Sequence, residues 1–279
     1  LNETVTEYKK VGNQLLIAGG IVAGGYLLYS MFSGSKKKGS FVSDAIKSYA
    51  LAVALSYAKD LLVDYLASLE EETEAAMKRG YSTNLVVHAF ALTARRTGIE
   101  PDLTRPFFKS MRTDITRVTH TPQSFDEYVY GSAEVVGLMC LKAFLVGMDL
   151  TPEQNDTFVT GARKLGAAFQ KVNFLRDLSA DVDALGRSYF PGINIATFTE
   201  ADKQRLVEDI DADLAVSGVI VPLLPASSRK AVALAQNLFA ELNRRIARTP
   251  AAELKHTRVS VPTLVKVRLA LAALMGRVS

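Results

Sequence analysis

The chain has 279 residues, 48% hydrophobic and 22% charged, and its 33 Lys and Arg against 29 Asp and Glu give a formal net charge of +4. That balance excludes a disordered chain, and the length suits one large domain or two small ones. The single cysteine, Cys140, excludes an intrachain disulfide and argues against a cysteine-based zinc site.

The first feature in chain order is an uncharged run from Leu15 to Phe32, LLIAGGIVAGGYLLYSMF. Its length is at the short end of what spans a bilayer. Lys9 and Lys10 precede it, and Lys36, Lys37 and Lys38 follow in a Gly/Ser linker. With basic flanks and no cleavage box, it reads as a membrane helix rather than a signal peptide, with a buried core helix as the alternative. The downstream lysines place the bulk of the chain on the cytoplasmic side. Gly20 and Gly24 have the spacing that packs two such helices into a homo-oligomer. Residues 1–40 are therefore expected to be an anchor and linker, and residues 41–279 a helical domain.

No proline precedes Pro101, so a long helix is permitted from Phe41 to Met77, a stretch rich in Ala, Leu, Glu and Lys. Helical rhythm returns at Val135, Leu138, Met139 and Ala143, and at Leu165, Ala168, Phe169 and Val172. No alternating strand pattern, βαβ rhythm or Gly-rich phosphate loop is visible. From Arg229 to Ser279 there are ten Lys or Arg and two Glu, a net +8, leaving −4 for the remainder. Without a nucleic-acid motif or any Trp, that basic end suits anionic lipid better than nucleic acid; a solvated basic helix face is the plain alternative.

The chemistry-bearing stretch is GAAFQKVNFLRDLSADVDALGRSYFP, residues 166–191. Asp177 and Asp181 are four apart, so on a helix they share a face and repel each other unless a cation intervenes. His88, His120 and His256 have no ligand spacing, so a metal here would be held by carboxylates. Mg²⁺ suits two carboxylates plus phosphate oxygens, with Mn²⁺ as the other candidate. Arg176 could fork onto a phosphate, and Gln170 and Asn173 lie on a similar face. An exposed polar face, with Arg176 paired to a carboxylate, explains the same residues.

Gln170, Asn173, Arg176, Asp177 and Asp181, followed by Gly186, Arg187, Tyr189 and Pro191, resemble the second aspartate-rich motif of the squalene/phytoene synthase family and its sequel. Ala180 departs from the Glu usual there. YVYGSAEVVGLMCLKAF from Tyr128 and FFKSMRTDI with Met111 and Asp114 are similar to further blocks of that family, and the wording is closest to its bacterial phytoene synthases. The resemblance is clear from about residue 70. A first aspartate motif fits at Asp60 and Asp64, although the family's preceding Arg is missing and Lys59 is the nearest cation. The rival reading puts both on the polar face of an ordinary amphipathic helix.

The resemblance implies an all-α, isoprenoid-synthase-type bundle around a central apolar cavity. It implies head-to-head condensation of two prenyl diphosphates, phytoene from two geranylgeranyl diphosphates, with Mg²⁺-assisted loss of pyrophosphate. Asp177, Asp181, Asp60 and Asp64 would then be metal ligands. Arg176, Arg187, Gln170 and Asn173 would contact diphosphate, with Tyr128, Tyr130 and Tyr189 at the pocket. Membrane lipid is an expected partner and nucleic acid is not. The atypical front end motivates an alternative of another class: a non-catalytic scaffold of the same fold at a membrane.

Overall fold

The computed structural model describes the backbone of residues 41–116, 119–178 and 189–274, and side chains within that range from residue 56 onward. The chain divides into two units, Leu1–Leu69 and Glu70–Ser279. Among the described residues every regular element is helical, as expected from the sequence.

Helix α1 (Phe41–Arg79) runs unbroken for 39 residues, which the lack of proline permits. Its first-unit part carries Asp60 and Asp64, both exposed and one turn apart. No described helix is long and apolar enough to cross a membrane. Residues 15–32, the expected anchor, lie outside the described residues.

In the second unit, the end of α1 is followed by α2 (Leu85–Thr97), α3 (Pro101–Thr116) and α4 (Pro122–Val129). A π-helical turn (Tyr130–Glu134) leads into α5 (Val135–Phe144), and α6 (Pro152–Arg176) follows. Then come α7 (Glu200–Gly218), α8 (Ala226–Arg248), the short α9 (Ala251–Leu254) and α10 (Thr263–Leu274). Thr121, Thr151 and Thr199 begin α4, α6 and α7 with capping boxes, each pairing reciprocally with the residue three places on. A bidentate Arg105–Glu74 pair and a single Arg112–Glu70 bond tie α3 to the last turns of α1.

α6 is the central helix. Ala168, Val172 and Leu175 are fully buried and pack with Val207 and Ile210 of α7 and Leu242 and Ile246 of α8. Of the apolar rhythm read from the sequence, Ala168 and Val172 are therefore core residues, and Leu165 and Phe169 are half-buried. Where α6 meets the π-turn and α5, glycine sets the separation. A Cβ at Gly166 would sit 2.5 Å from the Ala133 carbonyl oxygen, and one at Gly137 2.5 Å from that of Ala162. Backbone oxygens cannot rotate aside, so the helices would have to part. Gly166→Ala is expected to cost about 2 kcal/mol, read as a lower urea midpoint at unchanged slope.

Between α6 and α7, Asp213 is buried and paired with Lys164 at 2.7 Å and Lys171 at 2.8 Å; Lys171 also reaches Asp209 at 2.6 Å. Burial alone would lower the Lys171 pKa, but Asp209 and Asp213 outweigh it and raise it above the ordinary 10.5. A raised folded-state pKa stabilises fully below the unfolded value, and that contribution is lost as pH rises through the folded one. Lys171→Met should therefore flatten the alkaline limb of the stability–pH curve, measured by urea unfolding from pH 8 upward.

Candidate active site

The α6 sequence ends in charge. Asp177 caps the helix at φ −98°, ψ 15°, its N–H donating to the Asn173 carbonyl at 2.9 Å. Arg176 forks onto the Asp177 carboxylate at 3.0 and 2.5 Å. Arg258, 81 residues further on, donates to the same two oxygens at 2.5 and 3.4 Å. Partial burial pushes the Asp177 pKa up, but the hydrogen bonds and charges of Arg176 and Arg258 prevail and hold it below the ordinary aspartate value. The carboxylate is thus ionised, and its counter-charge is two guanidinium groups.

Gln170 and Asn173 precede Asp177 by two turns and one turn on the same helical stripe. Gln170 also lines an open apolar cavity of about 460 Å³. Ser132, Val136 and Leu141 form one wall, Leu165, Gly166 and Phe169 of α6 a second, and Ile220, Leu224 and Val232 a third. Along α6 the surroundings therefore change from apolar at Phe169 to charged at Asp177 within about 12 Å.

A second cluster centres on Asp114 of α3. The Tyr128 hydroxyl donates to its Oδ1 at 2.7 Å and the Tyr189 hydroxyl to the same oxygen at 3.3 Å. Tyr128 is 4% exposed, and burial first, then the Asp114 charge, push its pKa far above that of a free phenol. It remains a protonated donor at any working pH. Tyr189 stacks on Phe174 of α6 with centroids 4.0 Å apart and rings 7° from parallel. His120 stacks on Tyr189 at 5.9 Å and tilts against Tyr128 at 5.0 Å. The result is an aromatic wall with one carboxylate as its polar hub.

Of the predicted site residues, Arg176 and Asp177 touch each other, and Tyr128 and Tyr189 meet at Asp114. Tyr130 stands apart in the π-turn, its ring 5.3 Å from the Arg163 guanidinium carbon. Asp181 and Arg187 lie outside the described residues. Asp60 and Asp64 belong to the first unit. Arg258 and the hub role of Asp114 escaped the sequence reading. Two traces of them were visible: the basic excess after Arg229, and Asp114 within a familial block.

The described residues by themselves do not fit a magnesium ion. Both Asp177 oxygens are taken by guanidinium groups, and among the described residues no three His, Cys, Asp or Glu side chains converge. No step is therefore assigned to a metal.

The squalene/phytoene synthase family pattern matches residues 43–265. The chain belongs to the squalene/phytoene synthase family. That family consists of prenyltransferases of isoprenoid biosynthesis, which bind prenyl diphosphates. No curated protein matches the chain. Among solved structures, a dehydrosqualene synthase is similar at 22% identity and TM-score 0.62, over 81% of this chain and 86% of that one. A squalene synthase from Alicyclobacillus acidocaldarius is similar at 19% identity and TM-score 0.57, over 71% of this chain and 84% of that one. At such identities the likeness establishes the isoprenoid-synthase fold of this family member.

Proposed function

We propose that this squalene/phytoene synthase family member condenses two prenyl diphosphates head-to-head, with geranylgeranyl diphosphate as substrate and phytoene as product. The observation that carries this reading is the polarity gradient along α6. One helix lines an apolar cavity at Leu165, Phe169 and Gln170 and, two turns on, ends in Arg176 and Asp177, where Arg258 joins them from the segment between α9 and α10. A prenyl diphosphate has the same gradient, a hydrocarbon tail ending in a multiply charged head.

Breaking the allylic C–O bond leaves a carbocation and a pyrophosphate anion. Arg176 and Arg258 would offset the departing charge, Arg176 from a largely buried position and Arg258 from the solvent-exposed side. The cavity walls would keep water from the cation, and Tyr128 and Tyr189, which do not line that cavity, would act on it from the aromatic cluster at Phe174. The expected Mg²⁺ enters as a variable of the assay.

The test is pyrophosphate release from geranylgeranyl diphosphate, with and without Mg²⁺ or Mn²⁺, with the hydrocarbon identified by mass spectrometry. Arg258→Ala is expected to lower kcat about 100-fold. A squalene-type product from farnesyl diphosphate would correct the chain length and keep the reaction class. The closed Arg–Asp–Arg cluster favours one second reading, a non-catalytic scaffold of the same fold. Absence of pyrophosphate release from either diphosphate with both metals would establish that reading.

A further inference from the structure

α10 carries aliphatic side chains on two opposite faces. Leu269 and Ala273 are buried and Val265 packs against the main core, all within an arc of about 80° on the helical wheel. On the other side Leu264, Val267, Leu271 and Leu274 fill a second arc of about 80°, and each is between 51% and 84% exposed. Lys266 and Arg268, both exposed, flank this outer stripe on either side. The helix holds no acidic residue, and it lies in the region of net +8 that begins at Arg229.

Four aliphatics aligned on the outer face of one helix form a continuous apolar strip, unlike the single scattered leucines that any surface tolerates. The flanking cations identify what the strip meets. A protein partner would need acidic residues matching both edges of the stripe. A bilayer bearing anionic lipid offers an acyl interior for the leucines and headgroup phosphates for Lys266 and Arg268, whose alkyl stems reach along the apolar zone. At about 18 Å the helix is too short to span a bilayer, so it would lie flat.

We infer that the outer face of α10 is a docking surface for an anionic lipid bilayer, with Leu264, Val267, Leu271 and Leu274 inserted at the headgroup boundary and Lys266 and Arg268 on phosphates. The inference rests on α10 alone and stands whether or not the chain is catalytic. It is also separate from the expected anchor at residues 15–32.

The experiment is flotation of the full chain with phosphatidylcholine vesicles, with and without phosphatidylglycerol, alongside size-exclusion chromatography and thermal melting. The full chain is expected to bind the anionic vesicles. Val267→Glu with Leu271→Glu should weaken the partition coefficient at least tenfold on both vesicle types. Lys266→Glu with Arg268→Glu should weaken it about tenfold on anionic vesicles only, and added salt should reproduce that loss. All four positions are exposed, so the second variant keeps the test sound if the first folds poorly. Failure of the full chain to bind, or unchanged binding in both variants, overturns the inference. If the aliphatic variant leaves binding intact and turns a dimer into a monomer, the face belongs to a second copy of the chain. If it leaves binding intact and only lowers the melting temperature, another segment of the same chain covers the face.

Discussion

Tyr128→Phe is expected to lower kcat by about 100- to 1,000-fold with a much smaller change in KM. The hydroxyl is buried and donates to Asp114 at 2.7 Å, so its orientation is imposed by a charge rather than by solvent. Burial and that carboxylate together prevent ionisation, so the residue acts as an oriented neutral phenol. Phenylalanine keeps the ring against Phe174 and His120 but removes the dipole. A residue needed only for packing would tolerate that change with kcat nearly intact. Tyr189→Phe should be milder, because its bond to the same oxygen is 3.3 Å long and its side chain is only partly buried. Asp114→Asn completes the comparison. It keeps an acceptor and removes the charge, and should lower kcat in Tyr128-containing protein far more than in the Tyr128→Phe background. Additive effects of the two substitutions would show that the hydroxyl and the carboxylate do not act as a unit. Retention of a third or more of wild-type kcat in Tyr128→Phe would remove the phenol from the chemistry.

Lys203→Ala is expected to destabilise the fold by about 4 kcal/mol. Lys203 is 1% exposed, an unusual place for a lysine. Its ammonium donates to the carbonyls of Ala247 at 2.8 Å and Thr249 at 2.6 Å and pairs with Glu200. These are carbonyls at the end of α8, where the helix has no acceptor partners of its own and its dipole favours a cation. Glu200 in turn accepts the Ala251 N–H at 3.0 Å, so the lysine also secures the turn into α9. Alanine would leave the carbonyls unpaired and a cavity where the four-carbon stem had been. At about 2–4 °C per kcal/mol for a chain of this size, the melting temperature should fall by roughly 8–16 °C. Lys203→Met retains the stem and should recover about half of that loss. Equal melting temperatures for Lys203→Met and wild type would mean that the ammonium contributes nothing to stability.

The sequence read the helices well where their signals are local. The absence of proline before Pro101 foretold α1. The Leu165, Ala168, Phe169, Val172 rhythm foretold α6: Ala168 and Val172 are buried in the core, while Leu165 and Phe169 are half-buried and wall the cavity. At α5 the reading was looser. Val135 is buried as expected, but Ala143 is exposed and Leu141 takes the buried place. Leu141 clusters with Phe158 and Ala162 of α6, so the partner helix rather than the period selects the core residue at this end of α5.

By itself, then, the sequence determined the helical class, the long first helix, the order of familial motifs and the stripe that places Gln170, Asn173 and Asp177 in line. Each is a property of neighbouring residues or of a fixed period, and survives without knowledge of the chain's path. Tertiary structure alone decided that Arg258 closes on Asp177 across 81 residues, that Tyr128 and Tyr189 meet at Asp114, and that Lys203 is buried under the end of α8. Sequence periodicity records which face of a helix avoids water, but not which distant charge arrives there. That depends on how the helices cross, and at α6 the crossing is set by how closely backbone carbonyls approach Gly137 and Gly166.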